Sequence, residues 1–237
     1  MIKYILENKI EMVVFDMAGT TVNEDNIVYK TLKKAINQIG KLTLSLDEVL
    51  EYGAGKEKLQ AIKSILKNSA DVTDDILAQK IFEEFLTQLK LAYETENVFA
   101  NTNANELFDF LKQNNILRVL NTGYDRNTAE FLLKKLNWTV GKDIDALVTA
   151  SDVPRNRPFP DMINLAMETF NIKNPLNVAK IGDSTIDIQE GQNAGCSLSI
   201  GITTGAHTPT QLATANPNYV INDLIELIPI LANSNRN

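Results

Sequence analysis

Three short apolar runs are each followed at once by polar residues of the kinds that handle phosphoryl groups. Met12 to Phe15 leads into Asp16-Met17-Ala18-Gly19-Thr20-Thr21, Leu117 to Leu120 into Asn121-Thr122-Gly123-Tyr124, and Val178 to Ile181 into Gly182-Asp183-Ser184-Thr185-Ile186-Asp187. Between the last two lies Arg155-Asn156-Arg157-Pro158-Phe159-Pro160-Asp161, which reads as a stiff extended loop because proline fixes its own φ and restricts the residue before it. Taken singly, these residues have ordinary roles: Asp16 or Asp183 could cap a turn, and Thr122 a helix. Together they supply a carboxylate nucleophile, a second carboxylate to share a hard divalent cation, hydroxyl and backbone donors for a phosphoryl group, and a cation for its charge. A carboxylate nucleophile would form an acyl phosphate that water then cleaves, splitting one difficult displacement into two.

Such residues act together only if the fold brings the ends of those runs to one place, as an open α/β sheet does at the carboxyl ends of its strands. The runs at 12–15, 117–120, 146–148, 178–181 and 198–200, with a weaker one at 219–221, are short enough to be buried strands. Amphipathic helices are expected between them at 105–115, 126–136, 160–170 and 185–194, the third with Pro160 near its first turn, where a missing N–H costs little. No glycine or proline occurs between Lys56 and Thr122. Within that stretch Leu59, Ile62, Ile65 and Leu66 form one helical stripe, and Ile81, Phe82, Phe85, Leu86, Leu89, Ala92 and Tyr93 form another. Residues 24–97 therefore read as a helical block. The expected fold class is α/β, a Rossmann-like parallel sheet core interrupted after its first strand by an all-helical cap domain. The expected division is a core of residues 1–22 and 98–237 and a cap of residues 23–97.

At 237 residues, with 44% hydrophobic and 22% charged residues, the chain resembles ordinary folded proteins and not disordered ones. Its formal charge of −7 builds in no general attraction to nucleic acid or anionic lipid, so an anionic substrate must be held locally. No run approaches a membrane span, the N-terminal residues lack a signal pattern, and the single Cys196 cannot form an internal disulfide. The expectation is a cytoplasmic protein, monomer or homodimer, with a small-molecule substrate and no nucleic-acid or membrane partner. His207, the sole histidine, reads as a loop residue outside the chemistry, Trp138 as packing at a helix end, and Cys196 as a small buried hydrophobe. The tail from Asn233 to Asn237 is expected to fray.

These motifs resemble the haloacid dehalogenase-like hydrolases that carry a helical cap after the first strand, and the resemblance covers nearly the whole chain. The family's first motif is Asp-x-Asp-Gly-Thr; here Asp16-Met17-Ala18-Gly19-Thr20 has alanine at the second aspartate. In family phosphatases that aspartate protonates the leaving alkoxide and later activates water, so its absence argues against plain phosphomonoesterase chemistry. The Asp-x-Ala-Gly-Thr-Thr form, Thr122-Gly123-Tyr124 and Arg157-Pro158-x-Pro160 look like the branch containing phosphonoacetaldehyde hydrolase, or phosphonatase. Gly201-Ile202-Thr203-Thr204-Gly205-Ala206-His207 and Tyr124-Asp125-Arg126-x-Thr128-Ala129-Glu130 look like its phosphonatase-like subgroup.

The resemblance implies roles for particular residues. Asp16, Asp183 and the backbone carbonyl of Ala18 would hold Mg²⁺, with Asp187 orienting that arrangement from behind. Asp16 would attack phosphorus; Thr122, the amide of Gly123 and Arg157 would bind the phosphoryl oxygens, and Thr20 would order the nucleophile turn. Carbon leaves poorly, so phosphonatase condenses a cap lysine with the substrate aldehyde, and the protonated imine accepts the electrons released from phosphorus. Lys58 stands at that place in Gly53-Ala54-Gly55-Lys56-Glu57-Lys58-Leu59, three residues after Gly55, with Ala54 and Ala61 where phosphonatase carries methionine and histidine. The plainer reading of Lys58 is a solvated residue opening a helix. The expected catalytic residues are thus Asp16, Lys58, Thr122 and Arg157, with Thr20, Gly55, Gly123 and Tyr124 against substrate. The alternatives are a phosphomonoester phosphatase of the phosphoglycolate type and an inactive phosphate- or metabolite-binding protein.

Overall fold

The computed structural model describes residues 10–233, so part of the expected frayed tail lies outside the described residues. In chain order the elements are β1 (Met12–Asp16), β2 (Val22–Asn23), α1 (Ile27–Gly40), α2 (Leu46–Gly53), α3 (Lys58–Ala70), α4 (Asp75–Thr95), β3 (Phe99–Ala100), α5 (Ala104–Gln113), β4 (Leu117–Thr122), α6 (Arg126–Leu136), β5 (Ala146–Thr149), α7 (Asp161–Thr169), β6 (Val178–Gly182), α8 (Thr185–Ala194), β7 (Leu198–Ile202), α9 (Pro209–Ala213), β8 (Tyr219–Ile221) and α10 (Leu227–Asn233).

Six of these strands form one parallel sheet in the order β5-β4-β1-β6-β7-β8, with helices on its faces. The five residues of β1 are all buried, as a strand covered on both faces requires. The fifth and sixth residues of β4 extend the strand to Thr122, past the apolar run, because Asn121 and Thr122 pair with Val148 and Thr149 of β5. Phe15 meets Phe108 of α5 edge-on at 5.4 Å, and Phe108 meets Trp138 at 5.2 Å, which seats the indole just past the end of α6 as expected.

Between β2 and β3 the chain is helical, as the lack of breakers implies. Ser45 and Glu48 form a reciprocal cap on α2, Glu57 caps α3 by accepting the N–H groups of Leu59 and Gln60 at 3.0 Å each, and Asp74 caps α4. The apolar stripes pack together: Ile62, Ile65, Ile81 and Phe85 are fully buried. The two chain crossings between helices and sheet are tied by a small antiparallel ladder, Val22 to Ala100 and Asn23 to Phe99, which is too short to register as a strand pattern in sequence. No helix among the described residues is long and apolar enough to cross a membrane. Cys196, expected as a small buried hydrophobe at the entry to a strand, lies in the turn between α8 and β7 and is partly exposed there.

Candidate active site

β4, β1 and β6 are neighbours, so the sheet delivers Thr122, Asp16 and Asp183 to one edge. Beyond Asp16 the chain folds into a tight turn in which the Met17 carbonyl accepts from the N–H groups of Thr20, Thr21 and Val22. The hydroxyl that ties this turn is that of Thr21, which donates to the Asp16 carbonyl at 2.9 Å. Thr20, expected in that role, is a correction: its hydroxyl is buried and has no hydrogen-bond partner among the described residues.

Arg157 reaches beneath the turn from the proline-rich loop. Its Nη1 lies 2.7 Å from Asp16 Oδ1 and 3.0 Å from Asp187 Oδ1, its Nε donates to Glu190 Oε2 at 3.0 Å, and its Nη2 donates to the Asn121 backbone and side-chain oxygens at 2.9 and 2.6 Å. The family resemblance implies that Arg157 binds phosphoryl oxygens. In the structure its donors are taken by protein acceptors, and the guanidinium instead fixes one oxygen of Asp16. Lys180, an interruption in an otherwise apolar strand, donates to Asn121 Oδ1 and Asp187 Oδ1 at 2.8 Å each and lies 3.5 Å from Glu190. Ser184 donates to the other oxygen of Asp187. Both oxygens of Asp187 are therefore engaged by protein groups, so it supports Arg157 and Lys180 and does not stand free as a ligand.

Titration follows from this packing. Burial raises the Asp16 carboxyl against the pull of Arg157, with Asp187 pushing the same way as burial. Burial would also raise Asp187, but Arg157 and Lys180 outweigh it and hold that carboxyl low. Asp183 is raised well above the usual range by burial and then by Asp16 and Asp187. The Ala206 N–H donates to its Oδ2 at 2.6 Å. That donor comes from the Gly-Ala-His loop, whose Thr204 hydroxyl also holds the Gly19 carbonyl at 2.6 Å. Gly19 has φ +85°, and a Cβ there would come 2.3 Å from Asp183 Oδ2, so only glycine lets the turn approach this carboxylate. His207 accepts the Thr185 N–H through Nδ1 at 3.1 Å at the start of α8.

The carboxyl groups of Asp16, Asp183, Asp187 and Glu190 are buried here with two cations, Arg157 and Lys180, and no buried ion pair among the described residues answers Asp183, an excess of carboxyl oxygens. Hard oxygen donors with that excess fit a divalent cation such as Mg²⁺. No three His, Cys, Asp or Glu side chains cluster as a metal site among the described residues, so the set on offer is Asp16, Asp183 and a backbone carbonyl such as that of Ala18.

The loop between α2 and α3 roofs this layer. Gly55, at φ +71°, sits so close that a Cβ would come 2.1 Å from Ile186 and 2.3 Å from the Ser184 hydroxyl, and a Cβ on Gly123 would come 2.8 Å from the Lys56 carbonyl. Thr122 is buried with its hydroxyl accepting the Tyr124 N–H at 3.2 Å. Lys58 opens α3 but points inward: it is buried, its Nζ donates to the Lys56 carbonyl at 3.2 Å, and the ammonium stands 5.1 and 5.2 Å from the ring centres of Tyr29 and Tyr124. Burial lowers its pKa, with Asp16 resisting and Arg157 assisting. A cavity of about 280 Å³ opens beside Lys58, Gly123 and Tyr124, between Phe82, Phe85, Leu86 and Leu89 of α4 on one side and Ala150, Ser151 and Asn156 on another. A larger one of about 610 Å³ shares Phe82, Leu86, Leu89 and Asp125 with it and runs outward along α6 to Phe131.

Sequence reasoning missed Asn121, Lys180, Glu190, Tyr29, Glu24 and Tyr93. Three had a usable signal: Asn121 directly precedes Thr122, Lys180 is a charge within an apolar strand, and Glu190 lies one helical turn from Asp187. A protein-family model described as haloacid dehalogenase-like hydrolase matches residues 10–195. The chain is 28% identical to the phosphonoacetaldehyde hydrolase of Latilactobacillus sakei, covering 94% of this chain and 95% of that one. It is 24% identical to the phosphoglycolate phosphatase of Vibrio parahaemolyticus, covering 95% and 98%. In fold it resembles the crystal structure of a phosphonoacetaldehyde hydrolase-like protein from Oleispira antarctica, with TM-score 0.85 and 22% identity over 100% of this chain and 97% of that one.

Proposed function

The chain belongs to the haloacid dehalogenase-like hydrolases, and from that premise we propose a Mg²⁺-dependent phosphonatase-like hydrolase that releases phosphate from a small phosphonate such as phosphonoacetaldehyde, or from a related phosphorylated metabolite. The observation that supports this reading is Lys58: a lysine withdrawn from water, its ammonium near two tyrosine rings and under the influence of Asp16, suits a reactive amine better than a surface charge. Ala18 leaves no acid to protonate an alkoxide, which suits a leaving group stabilised through an imine.

In this mechanism Lys58 condenses with the substrate aldehyde and loses water. Arg157 holds Oδ1 of Asp16, which leaves Oδ2 to attack phosphorus. The carbon–phosphorus electrons pass into the protonated imine, giving an enamine on Lys58 and a phosphoryl group on Asp16. Thr122 and the Gly123 amide receive the phosphoryl oxygens. Mg²⁺ held by Asp16, Asp183 and the Ala18 carbonyl would draw charge from those oxygens. One water releases phosphate from Asp16; protonation of the enamine carbon and hydrolysis of the imine release acetaldehyde and free Lys58. Residues 23–97 act as the cap that seats Gly55 and Lys58 over the site and excludes bulk water.

Borohydride added with phosphonoacetaldehyde is expected to attach the reduced carbon skeleton to Lys58 and inactivate the protein, while Lys58→Arg is inert. Retained activity of Lys58→Arg on a phosphate ester, with no trapping in the wild type, would replace this reading by the phosphatase one.

A further inference from the structure

Glu24 is a buried charge that the mechanism above does not use. It follows β2, where the chain passes from the sheet to the helical block, and it is 3% exposed. Its Oε2 accepts the Val28 N–H at 3.0 Å and the Tyr93 hydroxyl at 2.7 Å. The Tyr93 oxygen is 2.8 Å from that of Tyr124, whose ring faces the Lys58 ammonium. A residue of the crossing, a residue of α4 and a residue of the loop after β4 thus meet at one carboxylate.

The buried ion pairs among the described residues belong to Arg118, Arg157 and Lys180; neither Glu24 nor Lys58 makes one. An isolated buried charge is costly, and two of opposite sign that face each other lower that cost. The groups acting on Lys58 are Asp16, Arg157, Glu24 and Glu57. Asp16 is already in contact with Arg157, and Glu57 is occupied in capping α3. Those acting on Glu24 are Tyr93, the Val28 N–H, Lys58 and Lys30, and Lys30 is paired at the surface with Asp25 at 2.6 Å. The three phenols Tyr29, Tyr93 and Tyr124 are pushed well above their ordinary value by burial and stay neutral. Glu24 is thus linked through the Tyr93 and Tyr124 hydroxyls to the ring beside the Lys58 ammonium, and the two charges act on each other.

We infer that Glu24 is the buried counter-ion of the Lys58 cation, a positioning residue whose charge favours the protonated form of that nitrogen, as ammonium and as imine, when the helical block is seated on the sheet. The catalytic meaning of this coupling rests on Lys58 being the reactive amine; the charge coupling itself does not. Burial raises the Glu24 carboxyl to about 7, so the coupling operates above neutral pH and fades below it as Glu24 takes up a proton.

The test is the titration of Lys58 by NMR in protein carrying isotope-labelled lysine Cε, the signal assigned by its loss in Lys58→Arg. Glu24→Gln keeps both hydrogen-bond acceptor contacts and removes the charge. It is expected to lower the Lys58 midpoint by about 0.5 to 1 pH unit, and Glu24→Asp to bring it back toward the wild-type value. An unmoved midpoint in folded Glu24→Gln, even with reduced thermal stability, would overturn the inference. Should Glu24→Gln not fold, the wild-type Lys58 signal is expected to carry a second inflection where Glu24 ionises, near pH 7; its absence would equally overturn it. A shifted midpoint in a protein that borohydride never traps would support the counter-ion and overturn the phosphonatase reading, which separates the two.

Discussion

Replacing Arg157 by lysine keeps one positive charge but removes the planar fork. Arginine here meets Asp16, Asp187, Glu190 and both oxygens of Asn121, at distances between 2.6 and 3.0 Å. A lysine ammonium has three donors, so at least two of these five acceptors lose their partner. Hydrogen bonds to charged groups contribute about 1.5–3 kcal/mol each, which sets the expected loss of folding stability at about 3 kcal/mol or more. For a chain of this length that lowers the melting temperature by roughly 6–12 °C. Activity is expected to fall by more than the stability loss explains, because Asp16 is no longer held at Oδ1. Urea unfolding and initial rates on the same preparations measure both. Folded Arg157→Lys with stability within about 0.5 kcal/mol of wild type and nearly full turnover would refute the organising role of this guanidinium toward Asp16.

Gly55→Ala puts a Cβ 2.1 Å from Ile186 on a backbone of φ +71°; it is expected to unseat the roof loop, cutting turnover at least tenfold, and steady-state kinetics with a circular-dichroism melt will check it. Mg²⁺ at about 100 times its Kd is expected to stabilise the wild type by about 2.7 kcal/mol and Asp183→Asn hardly at all; equal stabilisation in thermal melts would remove Asp183 from the ligand set. Glu24 has a folded pKa raised from 4.5 to about 7, so the folded state binds the extra proton and stability falls as pH rises through that window. Glu24→Gln is accordingly expected to match wild type near pH 5 and exceed it by up to about 3 kcal/mol at pH 8, read as the difference in urea midpoints; the same gap at both pH values would contradict the assignment.

What could be read from the sequence was the part that local rules govern. Asp16, Thr122 and Asp183 follow apolar runs, and a parallel sheet must bring such strand ends together. The helical block was legible because nothing in it breaks a helix and its stripes repeat at helical spacing. The inward turn of Lys58 was not: after Glu57 a lysine reads as the solvated start of α3, and only packing against Tyr29 and Tyr124 withdraws it from water. Glu24 and Tyr93 are 69 residues apart and meet because α4 returns to the crossing where α1 begins. The contacts of Arg157 are illegible for a related reason, since its partners Asn121 and Glu190 come from separate elements and leave no pattern linking them to the proline loop. Thr20 and Thr21 are adjacent and alike; the turn geometry alone decides which hydroxyl closes on Asp16.

On the proposed mechanism Asp16 carries the phosphoryl group during turnover. The direct measurement is an acid quench of the working protein with substrate radiolabelled at phosphorus, followed by peptide mapping. The expected result is acid-stable, hydroxylamine-labile label on the peptide containing Asp16, lost in Asp16→Asn together with activity. Turnover by folded Asp16→Asn near the wild-type rate, or label confined to another residue, would contradict the account.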